Sequence, residues 1–368
     1  MRAKLVPLAL LAAAALPLGA QGVSDGSVIV GPQFVSYKFG SGTGARTVSE
    51  LGIPFAVILP FGDRVAFDIS SSYANIQVSS NGSTSSSITG LTDTQLRGNI
   101  TLGDNVGMLT LGVNLPTGQY KIASGQQEAA GQIGSDFLLY PVSSMGYGLG
   151  ATGGLAFAVA AGDWNIGFGG SFRHSTAFDA FQVASSTLRF QPGDEARLRV
   201  GLDRPVGDGR FALSMTYSKF GNDAANDTTF GTGDRSLAQT SFSMPTSTGD
   251  FQISAWNLYR AKGELFSGAT SPWEDVLNGS LAVGFNAGSL YIQPMVEGRL
   301  WQVGPTVTGE SSYQAGTLAN LGVRFRFNMG VFSVNPSGGY AFGNLYQQAG
   351  GAAQTLTGFK GTLLIRLN

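Results

Sequence analysis

Leu51-Gly52-Ile53-Pro54-Phe55-Ala56-Val57-Ile58-Leu59-Pro60-Phe61 runs through a turn at Gly62-Asp63 into Val65-Ala66-Phe67-Asp68-Ile69-Ser70. Every odd position from Leu51 to Phe61 is apolar, and Val65, Phe67 and Ile69 keep the same parity after the turn. Between them stand small or polar residues: Gly52, Ala56, Asp68, Ser70 and Ser72. Side chains of a strand alternate between its faces, so a period of two means a ribbon with one oily and one polar side.

The period recurs down the chain. Leu96, Ile100 and Leu102 interleave with Gln95, Arg97 and Asn99, and Leu109, Leu111, Val113 and Leu115 return after Gly103-Asp104-Asn105. Comparable pairs are read at 155–161 with 164–172, 196–202 with 211–217, 281–285 with 290–300, and 321–327 with 332–342. A weaker pair spans 237–244 and 251–253, and the chain closes on Phe359, Leu363, Ile365 and Leu367. With an opening strand over 28–39 this gives about sixteen strands; the 237–259 hairpin leaves fourteen or eighteen open. The expected fold is all-β, a transmembrane antiparallel up-and-down β-barrel.

Composition points the same way. Charged residues are 12% of the 368, about half the share usual in soluble domains. Yet after the N-terminal segment no apolar run approaches the ~18 residues of a spanning helix. That segment, Met1-Arg2-Ala3-Lys4 followed by an apolar stretch and small residues, reads as a secretory signal peptide over 1–22. The barrel is then expected over 23–368, in the bacterial outer membrane. Without the signal, 20 basic residues face 23 acidic ones, net −3, which gives no footprint for nucleic acid. The absence of Cys excludes disulfides, thiolate metal sites and a lipidated cysteine.

Connections alternate between tight Gly/Asp/Asn turns and longer Ser/Thr/Gly-rich segments at 77–93, 116–135, 174–194 and 221–234. Outer-membrane barrels sort periplasmic turns from extracellular loops in this manner. Phe61, Trp164, Phe211, Phe251, Phe327 and Phe332 lie beside the short turns, where an interfacial girdle belongs. Pro54, Pro294 and Pro336 fall within strands and should each mark a bulge or break, because proline donates nothing to a ladder.

The polar parity carries Arg97, Arg173, Glu195, Arg197, Arg199, Asp203, Glu297, Arg299, Arg324, Arg326, Lys360 and Arg366. A cationic side chain at the lipid midplane costs about 2–4 kcal/mol, so these are expected to point inward. Arg97, Arg197, Arg199, Glu297, Arg299, Arg324 and Arg326 are the candidate solute contacts. The alternative for the same charges is cross-strand ion pairing that stiffens the interior.

Gly90-Leu91-Thr92-Asp93 before one strand and Leu115-Pro116-Thr117-Gly118 after its hairpin resemble the meta-pathway phenol-degradation family of outer-membrane proteins. The resemblance covers fewer than 30 residues. It implies a channel similar in architecture to the long-chain fatty-acid transporter barrels, passing small hydrophobic or aromatic compounds.

Two motifs lead elsewhere. Gly148-Leu149-Gly150-Ala151-Thr152-Gly153 matches a dinucleotide fingerprint, but Leu155 to Val159 beyond it reads as a strand, with no βαβ unit around it. His174, the single histidine, precedes Ser175 and Asp179, so a barrel hydrolase is one alternative function. A structural or adhesive barrel with a filled lumen is another. Asp223, Asp227 and Asp234 are the loop carboxylates available for a weak calcium ion. The expectation is a passive channel or porin for small molecules, without enzymatic activity or cofactor. Its partners would be outer-membrane lipid, the solutes and, during biogenesis, the barrel-assembly machinery.

Overall fold

The computed structural model describes residues 26–80, 83–104, 106–119, 121–183, 186–305, 310–330 and 332–367. The expected signal peptide, 1–22, lies outside them. Sixteen strands close into one antiparallel barrel among the described residues, the central value of the three expected. In chain order they are β1 (Ser27–Val30 and Gln33–Phe39), β2 (Arg46–Phe61), β3 (Val65–Ser80), β4 (Ser83–Leu91 and Thr94–Leu102), β5 (Gly107–Leu115), β6 (Gly150–Ala161), β7 (Trp164–Ser175) and β8 (Glu195–Val206). The second half is β9 (Gly209–Phe220), β10 (Arg235–Thr246), β11 (Gly249–Arg260), β12 (Glu274–Ala287), β13 (Leu290–Val303), β14 (Tyr313–Met329), β15 (Phe332–Tyr346) and β16 (Ala353–Leu367). Each strand pairs with its sequence neighbour. Closure is made by Val28 opposite Leu367 and Gln33–Phe39 opposite 356–362.

Seven short turns gather at one end, beside Ser27 and Leu367. In six of them a glycine (Gly62, Gly103, Gly162, Gly207, Gly288 or Gly330) sits at φ 59–65°, a region that L side chains resist. The other end carries the longer connections. There the 176–194 and 221–234 segments build a small sheet from Phe178–Val183, Ser186–Gln191, Asp223–Ala225 and Thr228–Phe230.

The register sorts the side chains as the alternation requires. Leu111, Phe168, Leu198, Val200, Met215 and Leu321 are among the many large apolar residues exposed on the outer face. The six aromatics beside the short turns all carry this outward parity. Only lipid makes such a belt stable, since a barrel has no other partner for it and no unpaired edge.

Each of the three expected prolines coincides with a gap in pairing. The β12–β13 ladder skips the pairs that involve Gln293 and Pro294, and the β14–β15 ladder skips those that involve Asn335 and Pro336. Pro54 lies opposite the break at residues 31–32 that divides β1, and its carbonyl accepts from Gly31 N–H. The register on either side is unshifted at Pro294 and Pro336, so these are local losses of a hydrogen bond and the wall stays shut.

Inward-facing positions in the outer half are apolar as well as polar, a departure from simple parity. Val48, Ala74, Ile76, Val78 and Ile88 are all 0–1% exposed. Their partner is a loop.

Candidate functional site

The 116–149 connection between β5 and β6 does not stand outside the barrel. It folds into the lumen, where its short helix α1 (Gln127–Ile133) and following turns pack on the inner wall. Ala129, Ile133, Phe137, Leu138, Tyr140, Val142 and Met145 are buried against Tyr37, Val48, Ile76, Val78, Ile88, Val276, Leu318 and Leu356. Each large side chain buried this way contributes about 1.5–3 kcal/mol. The wall is shaped to receive them: a Cβ on Gly316 would stand 2.9 Å from the Phe137 ring, and one on Gly52 2.9 Å from Pro141. Phe137 stacks on Trp301 with centroids 5.5 Å apart.

Polar anchors fix the register of this packing. Glu50, fully buried on β2, accepts from Val142 N–H at 2.6 Å, and Tyr37 donates to the Leu138 carbonyl at 3.1 Å. Ser86 donates to Gly125 O and accepts from Ala129 N–H, while Arg46 reaches Gln132 and Glu128 on the helix. Arg299 is 2% exposed; it bonds the Phe137 carbonyl and Glu297, and its guanidinium lies over the Trp256 ring.

The base of the loop is closed by Asp93. Its carboxylate accepts from Gly118 N–H (3.1 Å), Tyr147 N–H (2.6 Å) and Asn114 Nδ2 (2.8 Å), so one side chain ties together where the loop leaves and re-enters the wall. Thr117 Oγ1 accepts from Thr94 N–H, and Gln119 N–H donates to the Leu91 carbonyl. Gly118 is required here, since a Cβ would fall 2.2 Å from Met145 O. The two short motifs read in the sequence are therefore the two halves of one clamp.

The wall formed by β8 and β9 carries exposed charge. The inward-facing side chains of Arg197 and Arg210 there are 50% and 62% exposed, and Arg97, on the loop-bearing strand β4 beyond the clamp, is 43% exposed. Arg97 pairs with Asp68 (2.7 Å), and Arg197 and Arg173 both reach Glu195 (2.6 and 3.3 Å). Arg199, one step further along β8, is exposed. A second group lies towards the short turns on β11, β13 and β14. Tyr291 donates to Asp250 (2.7 Å), Gln293 bridges Asp250 and Arg324, and Arg326 lies 4.9 Å over the Tyr291 ring. Of the seven candidate solute contacts, Arg299 holds the loop and is 2% exposed, and Glu297 is its partner on the wall. Arg97, Arg197, Arg199, Arg324 and Arg326 carry the inward register.

The residues that shape the lumen most, Asp93, Glu50, Phe137 and Tyr140, were not among the sequence candidates. Two signals could have found them: apolar residues on the polar parity of β2–β4, and the Phe137-Leu138-Leu139-Tyr140 run beyond a loop otherwise rich in small residues.

His174 and Ser175 do not meet. The alternation of β7 puts His174 and Ser175 on opposite faces, and the imidazole Nδ1 lies 2.7 Å from Asp194 at the exposed rim. Nor do the loop carboxylates converge. Asp223 accepts from Gly193 N–H and Asp234 from Tyr217 Oη and Phe220 N–H, and no group of three potential metal ligands occurs among the described residues.

No family model matches the chain, and no curated protein matches it. Solved structures do. Salmonella typhi OmpF, in a complex with daunomycin, aligns over 92% of this chain and 97% of its own, with TM-score 0.50 and 10% identity. The COG4313 outer membrane channel of Pseudomonas putida F1 aligns over 96% of both chains (TM-score 0.38, 12% identity). Acinetobacter baumannii OccAB2 aligns over 95% of this chain and 100% of its own (TM-score 0.41, 9% identity). At these identities the likeness is one of fold: a bacterial outer-membrane β-barrel.

Proposed function

We propose that this barrel is a passive outer-membrane channel for small molecules, with the 116–149 loop as its constriction, and that it performs no covalent chemistry. The observation that carries the reading is the asymmetry of the lumen. The loop covers the wall of β1–β4, while β8 and β9 present the water-exposed Arg197 and Arg210, an asymmetry that supports a narrowed path over a filled interior. A filled structural barrel has no need for exposed inward charge. Solutes pass by diffusion, meeting Arg197 and Arg199 on one side and Arg324 and Arg326 nearer the short turns. Small hydrophobic or aromatic compounds are the proposed class, supported by the clamp sequence 90–93 and 115–118 and its likeness to phenol-degradation channels.

Purified protein in planar bilayers and in swelling liposomes tests this. The expected result is discrete single-channel conductance, with swelling in small solutes and none in large oligosaccharides. A sealed bilayer at every voltage, with the barrel folded, would refute it.

A further inference from the structure

We infer that the outer vestibule holds a binding site for a neutral aromatic molecule of one or two rings, seated between α1 and the loop sheet and supplied by a ladder of phenylalanines. The inference rests on the channel reading for its purpose, although the site stands on its own geometry.

A cavity of about 220 Å³ lies between the lumenal loop and the 176–194 hairpin. Ile122, Ile133 and Met145 line one side and Phe178, Phe181 and Phe190 the other. The two sides are joined by backbone: Ile122 N–H donates to Ala180 O (2.8 Å) and Gln182 N–H to Ile122 O (2.9 Å). The cavity is thus framed by hydrogen-bonded chain on both sides. Among the described residues no charged side chain lines it; Gln119, Ser143 and Ser144 are among its polar neighbours. That composition rejects ions and sugars and accepts a flat apolar body with at most one hydroxyl or similar group. A cavity of ~150 Å³ holds benzene, so this one suits one or two rings.

The rings continue outwards from the cavity. Phe178 and Phe190 are cross-strand partners with centroids 5.9 Å apart. Phe190 is 6.3 Å from Phe230 on the 221–234 segment, and Phe230 is 6.1 Å from Phe266 on the 261–273 loop. Phe266 is 49% exposed. Four rings from three separate loops form a line from solvent to the cavity, with edge and tilted geometries that favour aromatic neighbours. An aromatic solute can exchange one ring contact for the next along this line without re-entering water.

The test is titration of 2-naphthol into the full barrel in lipid nanodiscs, with empty discs subtracted, alongside conductance of the same preparation. Saturable 1:1 binding is expected, with cyclohexanol binding at least several-fold more weakly. Phe190→Ala should weaken 2-naphthol binding about tenfold, the upper range for one aromatic contact. Ser143→Trp, at an exposed position on the cavity, should abolish binding by filling it, without removing any packing. Leu265→Ala, beside Phe266 and off the ladder, serves as the unchanged control. Absence of saturable binding, or binding indifferent to both Phe190→Ala and Ser143→Trp, overturns the site. Conductance without binding removes the site and leaves the channel; binding without conductance removes the channel and leaves the site.

Discussion

Asp93→Ala should loosen the constriction while leaving the barrel standing. The substitution removes the acceptor of three hydrogen bonds and leaves Gly118 N–H and Tyr147 N–H without it in a part-buried setting. At about 1–3 kcal/mol for each unsatisfied donor, the two orphaned N–H groups cost the docked loop roughly 2–6 kcal/mol. A loss of ~3 kcal/mol shifts the docked population about a hundredfold. Single-channel recording should show a larger conductance or a long-lived upper level. Asp93→Asn, which keeps one acceptor oxygen, should fall between. Heat-modifiable migration on a denaturing gel checks that the barrel is intact, since none of the strand ladders depends on Asp93. Unchanged conductance and noise in a folded Asp93→Ala barrel would show that the clamp does not hold the constriction.

The same geometry sets other outcomes. Replacing Arg324 and Arg326 together by Ala should shift the reversal potential in a salt gradient towards cation preference; an unchanged potential removes these residues from the permeation path. Gly118→Ala should reproduce part of the Asp93→Ala phenotype, because its Cβ meets Met145 O at 2.2 Å. Burial raises the Asp223 carboxyl above its ordinary value, the Gly193 N–H bond opposing the shift only in part. The packed loops then hold that proton more tightly than opened loops do. Their packing is strongest below the ordinary aspartate value and weakens as pH rises through the raised one. Proteolysis of the 176–194 and 221–234 segments should quicken over that window, and Asp223→Asn should flatten the dependence. His174→Ala should leave conductance unaltered, as the ring stands outside the lumen at the rim.

The alternation of Leu51 to Ile69 is enough to specify strands, and its repetition behind a low charge content is enough to specify a barrel. Local chemistry made this readable: a turn needs its glycine within two or three residues, and a proline loses its ladder bond wherever it stands. Pro294 and Pro336 produced their gaps where expected, and the weak 237–259 pair proved an ordinary hairpin, β10–β11, with continuous pairing. Inward placement of the charges followed from parity for the same reason. Their partners did not, because Arg97 with Asp68 and Arg197 with Glu195 depend on register between strands.

What the chain alone determined is the cylinder and its two faces, since a period of two and tight turns are properties of neighbouring residues. The route through the cylinder was decided by tertiary structure. Asp93 meets Tyr147 across 54 positions, Glu50 meets Val142 across 92 and Arg299 meets Phe137 across 162. No local pattern encodes which segment will bury Val48, Ile76 and Ile88; that depends on the shape of a wall that exists only once the barrel has closed.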